Sequence, residues 1–87
     1  MNIFRKKNKK YYTIEEIKKH NTINSLWIVR KNKVYDVTKF AKIHPGGIEC
    51  ILNKSNPSYD CEKDYKFHSK NAKKLWDSFL MGYTIKN

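Results

Sequence analysis

Long apolar runs are missing from this chain of 87 residues. The nearest approaches are Leu26-Trp27-Ile28-Val29 and Phe79-Leu80-Met81, far shorter than the roughly 20 residues a membrane-spanning helix needs. The basic N-terminus, Met1 to Lys10, leads into no apolar segment of the kind a secretory signal carries. Cysteine is scarce: Cys50 and Cys61 alone cannot form a disulfide framework and read as reduced thiols, and with no secretory signal the expected compartment is cytoplasmic. Acid is scarce too, with 8 Asp or Glu against 19 Lys or Arg, a formal charge of +11.

Of those bases only Arg5 and Arg30 are arginine. Lysine is spread along the chain and accompanies abundant Asn and Ile, so a compositional origin of the charge stands beside a functional one. The functional partners would be an anionic membrane surface, an acidic protein or nucleic acid. Nucleic-acid modules pair a basic stripe with arginines or stacking aromatics in a recognisable frame, and none is present. Only Arg5-Lys6-Lys7 with Lys9-Lys10 forms a dense block, read as the end of a flexible tail over residues 1–10. The rest, 11–85, is one domain: 39% hydrophobic and 14% aromatic residues suffice for a core.

The local patterns mix strands and helices. Tyr11-Tyr12 reads as a short strand. Thr13 with Glu16 forms a capping-box signature for a helix from Ile14 to about His20. Ser25 to Arg30 and Val34 to Val37 read as a hairpin across the polar Lys31-Asn32-Lys33 turn. Thr38 is a second cap signal, before a helix over Lys39 to Ile43. That helix stops at His44-Pro45-Gly46-Gly47, because the residue before proline is pushed out of helical geometry. Ile48 to Asn53 resumes helix, Ser55 to Ser58 is a loop, and Tyr59 to Phe67 holds one short helical turn. Ser69 to Leu80 carries Ala72, Leu75, Trp76 and Phe79 at helical spacing. Tyr83 to Ile85 returns as an edge strand.

Three histidines remain. His20, at a helix end, reads as a surface residue. His44 and His68 each sit on a turn flanked by an apolar helical face, and two such loops can face each other across a flat apolar cofactor. Haem iron takes two axial nitrogens in that way. Phe40, Ile51, Leu75 and Phe79 would bury the macrocycle, and several hundred Å² at ~25 cal/mol/Å² is on the order of 10 kcal/mol gross. No Cys-x-x-Cys-His string points to covalent attachment. A zinc site from His44, Cys50, Cys61 and His68 is the competing metal reading; intervening gaps of five, ten and six residues fit zinc-ligand spacing poorly.

Val34-Tyr35-Asp36-Val37-Thr38-Lys39-Phe40 followed by His44-Pro45-Gly46-Gly47 resembles cytochrome b5. So does the second histidine, His68, 24 positions on and followed by Ser69. Trp27, and Tyr12 to Ile17, fit as well, and the resemblance runs from about Tyr11 to Tyr83. It implies an α+β fold, a small mixed sheet beneath two helix pairs that form a pocket for non-covalent haem b. By resemblance His44 and His68 are the axial ligands; Phe40, Ile51, Ala72, Leu75 and Phe79 line the pocket. Ser69 hydrogen-bonds a propionate, and Pro45, Gly46 and Gly47 shape the loop. The implied function is a soluble, monomeric one-electron carrier rather than an enzyme. It would take electrons from a reductase, in expectation a flavoprotein, and pass them to an acceptor protein. A regulatory module of the same fold that binds haem or another ligand without redox is the alternative, and relatives of that kind usually lack the histidine pair.

The chain departs from the family pattern at Lys63 and Lys66, where apolar residues are usual, so the helix before His68 is expected to be shifted, bent or short. Arg30 replaces an apolar strand residue, and Ile48 stands where an acid is common. With a charge of +11, the family's docking of an acidic haem edge on basic partners does not carry over, and an acidic acceptor is the expectation. The chain stops at Asn87 with no C-terminal anchor sequence, so contact with anionic membranes would be peripheral.

Overall fold

The computed structural model describes residues 9–43 and 47–85. Five strands, β1 (Tyr11–Tyr12), β2 (Asn21–Thr22), β3 (Ser25–Arg30), β4 (Lys33–Asp36) and β5 (Leu80–Thr84), form one sheet in the order β1-β5-β4-β3-β2. β1 runs parallel to β5; the other pairs are antiparallel, so the sheet is mixed. The helices are α1 (Ile14–Lys18), α2 (Thr38–Ala41), α3 (Ile48–Leu52), α4 (Glu62–Phe67) and α5 (Lys70–Asp77). None of the described helices is long and apolar enough to cross a membrane.

Alternation along β3 builds two cores from one strand, because successive side chains point to opposite faces. Trp27 and Val29 join Ile17 of α1 and Val34 on one face; Leu26 and Ile28 join Tyr35, Val37, Ala41 and Cys61 on the other. The second face carries α2 to α5. The β3–β4 hairpin turns on Lys31 and Asn32, both left-handed at φ 47° and 65°, the geometry that matches strand twist in a two-residue turn. The long way round to α4 is also tied down. Buried Ser55 lies within hydrogen-bonding reach of the His20 and Trp27 carbonyls (3.0 and 2.8 Å), and the Cys61 amide donates to Val29 (2.9 Å).

Several local expectations change. The last helix is shorter than Ser69 to Leu80: Ser69 caps it and Leu80 already opens β5. β5 is not an edge strand, since β1 covers its outer side. Thr38 does not cap α2. Its hydroxyl accepts from Leu26 N (2.9 Å) and donates to Asp36 (2.6 Å), pinning the helix start to the hairpin instead. Thr13 caps α1 through Glu16 N (3.1 Å), but the Glu16 carboxylate turns to His20 (2.9 Å) rather than back to the cap. His20 is therefore no surface residue: its side chain is 23% exposed, stacks on Trp27 at 3.5 Å and meets Ser25 Oγ at 2.6 Å. Most of the expected 1–10 tail lies outside the described residues. Its last two residues are held against β5, where the Lys10 carbonyl accepts from Tyr83 N (2.9 Å) and Lys9 Nζ sits 4.3 Å from the Tyr83 ring centre.

Candidate functional site

An apolar cleft of about 200 Å³, open to solvent at its mouth, lies on the helical face of the sheet. Ile28 of β3 and Val37 form part of its lining, Phe40 of α2 and Cys50 and Ile51 of α3 another part, and Asp64 and Phe67 of α4 with Ala72, Leu75 and Trp76 of α5 a third. Phe79 packs beside Phe40, ring centres 5.4 Å apart. Phe40, Ile51, Ala72, Leu75, Phe79 and His68 are thus brought together around one space. Two large apolar lining residues are left in water: Phe67 is 90% exposed and Leu75 47%.

His68 owes its place to the end of α4. A helix leaves its last carbonyls without helical amides to accept. His68 adopts an extended backbone (φ −80°, ψ 153°), and its amide bonds to the Tyr65 carbonyl (3.1 Å) rather than to Asp64. The Asp64 carbonyl is taken by the His68 ring, Nδ1 at 2.6 Å. A carbonyl only accepts, so Nδ1 carries a proton, and in the neutral imidazole Nε2 keeps its lone pair. That is the tautomer a metal-ligating histidine needs, with its other nitrogen anchored to a backbone oxygen. Trp76 stands perpendicular to the ring (5.2 Å, 87°) and blocks it on one side; Trp76 Nε1 is buried with no hydrogen-bond partner among the described residues.

Ion pairs secure α4. Arg30 donates to Glu62 (2.6 Å) and to the Tyr35 hydroxyl (3.1 Å), and its guanidinium lies 3.6 Å from the centre of the Tyr65 ring. Arg30 therefore bolts the helix to the sheet. At the cleft wall Asp64 pairs with Lys54, and Tyr59 OH donates to its second oxygen (2.9 Å). Burial alone would raise the Asp64 pKa; the Lys54 and Tyr59 hydrogen bonds outweigh it and hold the carboxyl below its usual value. Burial also pushes the Cys61 thiol up to about 12, with nearby Asp64 adding to it, which disfavours the thiolate a zinc ligand requires. Cys50 is exposed. Among the described residues no three His, Cys, Asp or Glu side chains gather as a metal set.

His44, Pro45 and Gly46 lie outside the described residues. Gly47 precedes α3 at φ 87°, a conformation open to glycine at little cost. Ser69 does not line the cleft; its Oγ accepts from Ala72 N at 3.2 Å, leaving its hydroxyl proton available to an outside acceptor. Cys50, Lys54, Cys61, Asp64, Phe67 and Trp76 were not foreseen as lining. For Trp76 the signal was present, since it shares the helical spacing of Ala72 and Leu75. For Asp64 it lay in its place four residues before His68, one helical turn away.

The donor set fits a haem. The walls are apolar, one neutral imidazole among the lining residues keeps Nε2 for a metal, and Phe67 and Leu75 present exposed apolar surface at the cleft.

A family model described as cytochrome b5-like heme/steroid binding domain matches residues 13–85. Cytochrome b5 of Oryctolagus cuniculus is 42% identical over 76 residues, 87% of this chain and 57% of that protein. An NADH nitrate reductase of Petunia hybrida is 46% identical over 77 residues, 87% of this chain but 8% of that enzyme. The chain thus spans little more than half the length of the rabbit cytochrome b5 and under a tenth of the nitrate reductase. The solved cytochrome b5 of Ostreococcus tauri virus 2 superposes with a TM-score of 0.68 at 32% identity, covering 85% of this chain and 95% of its own. Cytochrome b558 of Ectothiorhodospira vacuolata gives 0.70 at 23% identity, covering 87% and 99%, a likeness of fold alone.

Proposed function

The chain belongs to the cytochrome b5 family, and from that premise we propose that it is a one-electron carrier holding haem b between His44 and His68. The observation that carries the reading is the His68 imidazole, locked by Asp64 O as the Nδ1–H tautomer in a lining residue of an apolar cleft. When bound, haem b supplies an Fe(III)/Fe(II) couple whose potential follows axial identity and burial.

The chain's own side chains do the rest. His68 offers Nε2 to the iron and His44 the second nitrogen. Phe40, Ile51, Ala72, Leu75 and Phe79 exclude water from the macrocycle, and Ser69 offers its free hydroxyl proton to a propionate. Gly47, with Pro45 and Gly46, shapes the loop that carries His44. Held by both imidazoles, haem b would have no position open for oxygen or substrate, which favours electron transfer over oxygen activation. Anchored through the Asp64 carbonyl, the His68 imidazole would keep one orientation toward a bound haem, which would limit reorganisation on electron transfer. The donor is a flavoprotein reductase and the acceptor a protein with an acidic face, given the charge of +11. The carrier works in the cytoplasm, as a monomer. The nitrate-reducing activity of the larger relatives belongs to those enzymes as wholes.

The test is reconstitution with haem b. The wild type gives a six-coordinate low-spin spectrum, and His44→Ala and His68→Ala each lose it. Either variant keeping the wild-type spectrum contradicts the ligand assignment.

A further inference from the structure

Whatever positions the Asp64 carbonyl positions the His68 ring, because that carbonyl is the partner of Nδ1 (2.6 Å). The opposite end of the same residue is clamped. Its carboxylate pairs with Lys54, just past the end of α3, and accepts from Tyr59 OH (2.9 Å), in the connection from α3 to α4. One side chain thereby gathers three segments at the wall of the cleft, with Lys54 32% and Asp64 20% exposed. Arg30 and Glu62 fix the first turn of α4 to the sheet. The Lys54–Asp64 pair instead ties the middle of α4 to the end of α3, across the cleft lining that both share.

We propose that Asp64 is a positioning residue for the axial ligand: gripped by Lys54 and Tyr59, it holds its backbone oxygen where it fixes His68 with Nε2 free for iron. This rests on the haem-carrier reading above, but the geometry it claims exists in the apoprotein and can be read there. The interaction is tunable. A bond from Nδ1–H to a well-held acceptor raises the basicity of Nε2 as a ligand, and loss of such outer partners typically costs about 10–100-fold in metal affinity.

The experiment uses ¹⁵N-histidine-labelled protein. Long-range ¹H–¹⁵N correlation in the apoprotein reads the tautomer at His68, assigned by its loss in His68→Gln, while His20, stacked on Trp27, reports an intact fold. The wild type shows Nδ1 protonated. Lys54→Met shifts His68 to a tautomer mixture without moving His20, and Lys54→Arg restores it. After haem b is added, Lys54→Met loses haem to apomyoglobin about 10–100-fold faster than wild type, and its midpoint potential rises as Nε2 becomes a poorer donor. Should Lys54→Met disturb His20 as well, Tyr59→Phe removes one hydrogen bond and no charge, and a smaller shift of His68 in the same direction is expected. Unchanged His68 signals in the variant that keeps its fold, or a Lys54→Arg protein that fails to restore them, overturn the assignment. If the tautomer responds as stated but no form takes up haem b, the carrier reading fails and the positioning of the imidazole stands.

Discussion

Replacing Phe67 with alanine separates folding from binding. The ring is 90% exposed although it borders the cleft, so the apoprotein draws almost no packing energy from it. The variant's apoprotein stability should therefore stay within about ±0.5 kcal/mol of wild type, the usual range for surface positions. A macrocycle seated in the cleft takes that ring out of water. Full burial of a phenylalanine is worth about 1.5–3 kcal/mol, and nearly all of its area is still available to be covered. At about 1.4 kcal/mol per factor of ten, the haem dissociation constant should rise roughly 10–150-fold. Urea denaturation of the apoprotein gives the first quantity; Soret titration with haemin, or transfer to apomyoglobin where binding is tight, gives the second. An apoprotein destabilised by more than about 1 kcal/mol would make Phe67 a core residue, contrary to its exposure. An unchanged haem affinity would mean that the ring does not cover the cofactor.

Two further outcomes follow from the scaffold. A Cβ at Gly82 would stand 2.5 Å from Tyr12 Cε2 and 2.7 Å from the Lys10 carbonyl; the second is backbone and cannot swing aside, so Gly82→Ala should cost about 1–3 kcal/mol, read as a lower urea midpoint. Burial would raise the Glu62 pKa, but Arg30 and Lys31 hold it below its usual value. Its ion pairing thus stabilises the fold above the unfolded carboxyl value of about 4.3 and is lost as pH falls through the lower folded value. Arg30→Met should be less stable than wild type at pH 7, with the difference narrowing in acid as the Glu62 share is lost while the Tyr35 and Tyr65 contacts persist; a gap of unchanged size at pH 2 would mean that the pair with Glu62 contributes nothing.

What could be read from the residues was what local chemistry decides. The Ser25–Arg30 strand announced itself by β-branched and aromatic residues whose alternation serves two cores. Thr13 caps α1 as its type dictates, and the apolar spacing of α5 located a wall of the cleft. What could not be read depends on long-range partners. Thr38 has the same side chain as Thr13, yet its hydroxyl bridges Leu26 and Asp36 because β3 and β4 arrive beside it. His20 is drawn inward by Trp27, seven positions away but stacked at 3.5 Å. β2 is two residues of ordinary polarity that become strand only by pairing with β3. β5 is covered rather than open because a two-residue strand from the far end of the chain lies along it. At the site, Lys54 and Asp64 read as two more surface charges until α3 and α4 bring them together.

Carbon monoxide tests the central claim most directly. The haem-loaded protein, reduced with dithionite and exposed to the gas, should keep its reduced spectrum unchanged, because His44 and His68 fill both axial positions and leave none for an exogenous ligand. A Soret band that shifts on exposure would reveal an open iron site and contradict the assignment of this cleft to electron transfer.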